Sequence, residues 1–142
     1  MYDPAPRKPT TGIACCFACR ERPTAAALPT LSVFDITNEV QRDVGAGRPD
    51  HGIAYITAAA PSSLVRVSER ESGFFCDVES LLERMVPGSR GDRERMLLAL
   101  LGPRTEQVPF TGGRLCLGQW QRVLLFCLDG DTRAEYTLTL LG

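Results

Sequence analysis

Apolar and polar positions fall into recognisable periods from about Ala25 onward. Leu31, Val33 and Ile36 border a strand predicted to end at Asp35. Asp35 then stands where a helix N-cap belongs, with Glu39 in the first turn and Val40 and Val44 on one face, and Gly45 and Gly47 stop that helix. Residues 52–60 and 64–67 read as two strands around a Pro61-Ser62-Ser63 turn. Phe74, Val78, Leu81, Leu82 and Met85 share one side of a helix that Pro87-Gly88 ends. Asp92 is placed to cap a shorter Leu-rich helix closed by Gly102-Pro103. Three more strands are predicted over 105–110, 119–128 and 132–140, and Asp129-Gly130 between the last two is a hairpin signal.

Those last two strands differ. Over 132–140, Ala134, Tyr136, Leu138 and Leu140 alternate with Arg133, Glu135, Thr137 and Thr139, the pattern of a half-buried strand. Over 119–128, Leu124, Phe126 and Leu128 occupy one face while Val123, Leu125 and Cys127 occupy the other. Both faces require burial, and a subunit interface is the expected cover for the second, ahead of a packed helix. The same stretch opens on Gly118-Gln119-Trp120-Gln121-Arg122, which holds the chain's one Trp. An amide at the mouth of a buried strand needs a partner, so this run marks a pocket or a tightly bonded turn.

The chain's 142 residues suit one domain, and a net charge of −1 gives no electrostatic case for nucleic acid or an anionic membrane surface. Residues 1–24 carry four Pro, mixed charge and no periodicity, and are expected to form an irregular arm preceding a domain over 25–142. No apolar run reaches the ~18 residues that span a bilayer, and the N-terminus makes a poor secretory signal. A cytoplasmic location is therefore expected, with the six Cys as thiols.

Candidate chemistry is sparse. Cys15, Cys16 and Cys19 are too few for a zinc site, and the one His is remote in sequence. Asp50 could orient the imidazole of His51, but no nucleophile setting accompanies the pair, and a turn preceding a strand accounts for it. Thr111-Gly112-Gly113 reads as a tight hairpin turn. Arg90, Arg93 and Arg95 at a helix start suit either a solvated face or an anion site, with Glu69 the nearest candidate carboxylate if the two loops meet.

The order of features carries more information than any one of them. Asp35-Ile36-Thr37-Asn38-Glu39-Val40 opens a helix, Gly52-Ile53 a strand, and Leu81-Leu82-Glu83-Arg84-Met85-Val86-Pro87 closes a helix. Leu100-Leu101-Gly102-Pro103, Val108-Pro109, Gly113-Arg114-Leu115, Gly118-Gln119-Trp120-Gln121-Arg122 and Asp129-Gly130 follow. From about Leu28 to Gly142 this succession resembles the YjbQ family, whose members are often named secondary thiamine-phosphate synthases. The resemblance implies an α+β domain, a two-sheet β-sandwich with flanking helices, assembled as a homotrimer with a metal-linked pocket. It also exposes departures. Ala60 stands where the family has a His, Ser68-Glu69 replaces an Asn-Glu pair, and Gly91 and Arg95 hold the places of an Asn and a His. Alanine has no lone pair to give a metal. An Arg charge ~5 Å from a divalent ion opposes it by roughly 6–7 kcal/mol at an effective dielectric near 20. No metal cofactor is therefore expected.

Two functions are compatible with these residues. One is a divergent, non-catalytic homotrimer with an anion or phosphate pocket lined by Glu69, Arg95, Trp120, Gln121 and Arg122, taking a small phosphorylated ligand. The other is an active thiamine-phosphate synthase-type or related phosphate-handling enzyme that uses Arg95 and Glu69 without the family metal, with Glu69 the catalytic candidate.

Overall fold

The computed structural model describes residues 32–86, 96, 98–127 and 135–142. The elements run β1 (Ser32–Asp35), α1 (Thr37–Ala46), β2 (His51–Ala58), β3 (Ser63–Glu69), α2 (Ser72–Met85), β4 (Thr105–Thr111), β5 (Arg114–Leu115), β6 (Gln121–Cys127) and β7 (Tyr136–Leu141). All strand pairs are antiparallel and form two sheets, one of three strands ordered β1-β6-β3 and one of four ordered β5-β4-β2-β7. This is the expected α+β single domain with a two-sheet sandwich. The arm expected over 1–24, with Cys15, Cys16 and Cys19, lies outside the described residues, as does the start of the helix expected after Asp92. Residues 98–101 are helical and end at Gly102 (φ 93°), whose N–H bonds the carbonyl of Leu98.

Strand β6 is the middle of the structure. Val123, Leu125 and Cys127 face the four-stranded sheet and share a core with Ala54, Ile56, Val108, Phe110, Tyr136 and Leu138. Leu124 and Phe126 point the other way, into a second core with Val33, Leu64, Phe75, Leu82 and Val86. Helix α2 thus covers the second face within one chain, and the subunit interface expected there is not what buries it. Phe75 meets Phe126 edge-on, with ring centroids 5.9 Å apart.

Two further expectations are corrected. No hairpin joins β6 to β7 across 129–130, which lie outside the described residues: the two strands belong to different sheets. A two-faced apolar strand is best placed at the centre of the layer between two cores, whereas alternating β7 suits the edge of the other sheet, and burial overrides the local turn signal. The expected stripe on α2 is also rotated. Phe75, Val78, Leu82 and Val86 line the core, while Phe74, Leu81 and Met85 are about half exposed. Elsewhere the local chemistry holds. Gly112 (φ 59°) and Gly113 (φ 66°) form the two-residue turn of the β4–β5 hairpin, which needs positive φ at both positions. Glu71 caps α2, its carboxylate accepting from the N–H groups of Gly73 (2.8 Å) and Phe74 (2.5 Å). Those two bonds hold its pKa below the ordinary carboxylate value.

Helix α1 docks on the hairpin through Gln41, whose Nε2 donates to the Gly113 carbonyl (2.9 Å) and whose Oε1 accepts from the Leu115 N–H (2.9 Å). The helix axis passes close enough that a Cβ on Gly113 would lie 3.3 Å from the Cα of Gly45.

Urea unfolding checks the assignment of the α2 faces. Phe75→Ala is expected to cost about 3–5 kcal/mol, as for a large side chain removed from a packed core. Leu81→Ser on the exposed side should change stability by under about 1 kcal/mol. Gln41→Ala should cost about 1–2 kcal/mol and speed hydrogen exchange at the Leu115 amide.

Candidate functional site

Strand β6 begins on the turn formed by Gly118, Gln119, Trp120 and Gln121. The Gln121 N–H donates to the Gly118 carbonyl (3.0 Å), and the Gly118 N–H donates back to Gln121 Oε1 (2.7 Å). The amide singled out in the sequence is therefore part of a tightly bonded turn. A Cβ on Gly118 would sit 3.1 Å from that oxygen, which is why a residue without one suits the position. The turn leaves Trp120 69% exposed.

Register then assembles the neighbourhood. Glu69 lies opposite Gln121, and Ser68 opposite Arg122. Arg122 Nε donates to Asp35 Oδ2 (2.9 Å) and its Nη2 to Asn38 Oδ1 (3.4 Å), while Arg70 Nη1 reaches the same Asp35 oxygen at 3.4 Å. Asp35 Oδ1 accepts from both the N–H (3.1 Å) and the hydroxyl (2.6 Å) of Thr37. Thr37 Oγ1 in turn accepts from the Val123 N–H at 2.8 Å. Ile36, fully buried, occupies the N-cap position of α1, so Asp35 serves the helix start from one residue further out than expected. Its side chain is only 11% exposed. Burial pushes the Asp35 carboxyl up, but the bonds from Thr37 and Arg122, with the charge of Arg122, outweigh it and hold the pKa below the ordinary value.

Four predicted site residues, Glu69, Trp120, Gln121 and Arg122, are thus brought to one end of the β3–β6 pair. Arg95 and Gly91 lie outside the described residues. Ala60 accepts from the Ser63 N–H (3.2 Å) in the turn before β3, so the seven residues of that strand, about 23 Å, separate it from Glu69. His51 is also removed from this end. It sits beside Gly113 at the C-terminal end of α1, where the Asp50 carbonyl accepts from the Gly113 N–H, whereas Arg122 stands at the N-terminal end, about 15 Å away along the helix. The His51 ring does bond Asp50 (Nδ1 to Oδ1, 2.9 Å), and that contact holds the exposed Asp50 carboxyl below its ordinary pKa. Asp35, Asn38 and Arg70 were not singled out as site residues. Asp35 is legible as a helix-start residue, but its pairing with Arg122 spans 87 positions and has no local signal.

This end presents the guanidinium N–H donors of Arg122 and Arg70 and exposes the Trp120 indole, whereas the register puts Glu69 with Gln121 on the opposite face of the β3–β6 pair from Arg122. The end suits an anion. Among the described residues no group of three or more His, Cys, Asp or Glu side chains could hold a metal ion. The acid nearest Arg122 is committed to two Arg and to Thr37, so the residues described do not fit a divalent cation. Cys76, Cys116 and Cys127 form no disulfide, and among the described residues no helix is long and apolar enough to cross a membrane.

Asp35→Asn tests the electrostatics. A carboxyl whose folded pKa is depressed contributes stability above its unfolded pKa and loses it as pH falls through the folded value. Asp35→Asn is expected to cost about 1–2 kcal/mol at pH 6, discounted for the partial exposure of Arg122. The gap between variant and wild type should shrink as the pH is lowered from 6 to 3, measured by urea unfolding at each pH.

Comparison with known proteins places this architecture. The family model described as UPF0047 protein YjbQ-like matches residues 26–142. The UPF0047 protein of Archaeoglobus fulgidus is 30% identical over 108 residues, 70% of this chain and 83% of that protein. That of Methanothermobacter thermautotrophicus is 28% identical over 120 residues, 79% and 84% of the two chains. Among solved structures, an uncharacterised conserved protein of the yjbq/upf0047 family from Clostridium acetobutylicum superposes with a TM-score of 0.72 at 18% identity, covering 82% of this chain and 96% of that one. A hypothetical protein from Aeropyrum pernix gives 0.69 at 24% identity, covering 80% and 90%. The similarity to both structures is one of fold, while the family model and the archaeal relatives together establish that the chain belongs to the YjbQ/UPF0047 family.

Proposed function

We propose that this chain is a divergent, non-catalytic YjbQ-family homotrimer whose Glu69–Arg122 end binds a small phosphorylated ligand. The observation that carries the reading is the state of the groups around Arg122. Its guanidinium is held in place by Asp35 and Asn38 at the end of the β3–β6 pair, two positions from the exposed Trp120, which favours recognition of an anion. Glu69 is the candidate proton acceptor at this end, and the other two groups are poorly suited to the role. The Asp35 carboxylate is occupied by ion pairs and its basicity is lowered, and His51 is a helix length away. Retention of the scaffold without the metal is the simplest account of Ala60, Gly91 and Arg95 at places where the resemblance implies His or Asn. The trimer part of this reading rests on the family resemblance.

The alternative, a thiamine-phosphate synthase-type enzyme using Arg95 and Glu69, is decided by the same tests. Expression of the chain in a thiamine-phosphate synthase-deficient strain should not restore growth. Growth that is lost on Glu69→Ala would overturn the non-catalytic reading. Trp120, the only Trp, reports on binding directly. Its fluorescence should titrate with inorganic phosphate, and Arg122→Ala should weaken that binding about tenfold or more. Light scattering should give the mass of a trimer, and metal analysis of the purified protein no stoichiometric metal.

A further inference from the structure

A cavity of about 220 Å³ lies between α2 and the three-stranded sheet and extends to Ser68, next to the Glu69–Arg122 end. Leu64, Phe74, Val78, Leu82, Leu101 and Phe126 supply its apolar walls, and Arg66 and Ser68 its polar groups. The space equals that of about seven waters, each of which needs two to four polar partners, and the described walls supply few beyond Arg66 and Ser68. A compact apolar group is the better occupant, since it is stabilised by leaving water for such a surface.

The charged side of the cavity narrows the choice further. Among the described residues, Arg66 is the ionisable one that lines it. Its Nη2 donates to the Leu101 carbonyl, which fixes the guanidinium at the wall, and its Nη1 stands 3.8 Å from a Glu106 oxygen. That ion pair is partly exposed and weak, so the fork of N–H donors can still engage a second carboxylate. Ser68 follows on the same face of β3 and lies opposite Arg122 in register, so the donors gather at one end of the cavity.

We propose that this cavity is a binding site for a small monocarboxylate with a compact aryl or branched apolar body, its carboxylate on Arg66 and Ser68 and its body among Val78, Leu82 and Phe126. An amine of the same shape would meet Arg66 with like charge, and a neutral alcohol would gain the apolar contacts alone.

The test is a methyl NMR titration of the full chain with phenylacetate, 2-phenylethanol and 2-phenylethylamine. Phenylacetate should shift the methyls of Val78, Leu82 and Leu101 and bind at least tenfold more tightly than the alcohol, with the amine weakest. Arg66→Gln should reduce phenylacetate to the affinity of the alcohol while leaving the alcohol unchanged, which also shows that the variant is folded. Val78→Trp should abolish binding of both. If Arg66→Gln does not fold, the acid-to-alcohol ratio on the wild type and the Val78→Trp variant decide the matter. Equal affinity for acid and alcohol, or binding that survives Val78→Trp, would overturn the proposal. So would methyl shifts that follow protein concentration rather than ligand, which would assign the cavity to a second copy of the chain.

Discussion

Burial of both faces of β6 is the constraint on which the rest of this structure depends. A strand carrying Val123, Leu125 and Cys127 on one side and Leu124 and Phe126 on the other is stable only between two apolar layers. The four-stranded sheet supplies one layer and α2 the other. That arrangement fixes β6 as the middle strand between β1 and β3, and the chain changes sheet at every strand-to-strand connection except β4 to β5. It also determines where polar chemistry can occur. Arg122 is the last position on the α2 face before the apolar run begins, so its charge emerges at the rim of the core, where Asp35 at the end of β1 can meet it.

Much of this is legible in the amino acids. The alternation along β7, the double apolar face of β6 and the Gly112-Gly113 turn each arise from interactions between residues close in sequence, and each takes the predicted form. The misreadings share one cause, which is that tertiary burial chooses between locally equivalent options. Phe74 and Phe75 start two overlapping stripes on α2, and only the shape of the three-stranded sheet selects the one through Phe75, Val78 and Leu82. Asp129-Gly130 offers a hairpin, but the strands on either side need different neighbours. The candidate site follows the same rule. Gln121 and Trp120 stand out because a polar run interrupts an apolar segment, whereas the bonds of Arg122 to Asp35 and Asn38 join residues more than eighty positions apart and leave no local trace.

The electrostatics of that end are largely self-contained. Thr37 and two arginines surround Asp35, and Thr37 passes the connection on to the backbone of β6, so the start of α1, the end of β1 and the start of β6 are one hydrogen-bonded junction. Such a junction holds a guanidinium in a defined direction with little reorganisation on binding, a property suited to recognition more than to proton transfer. The Gly118–Gln121 turn closes on its own side chain in the same way and presents Trp120 outward.

The two long-range contacts of Gln41 and Glu106 have a consequence for how copies of this chain can meet. Gln41 offers β5 one donor and one acceptor, the pair of bonds an adjoining strand would make, and Glu106 accepts from the Val67 N–H on the side of β3 away from β6 (3.0 Å). Each side chain takes the place of a neighbouring strand at one point, so the edges of β5 and β3 are occupied there. A strand from another copy that reached either edge at these positions would have to displace the side chain first.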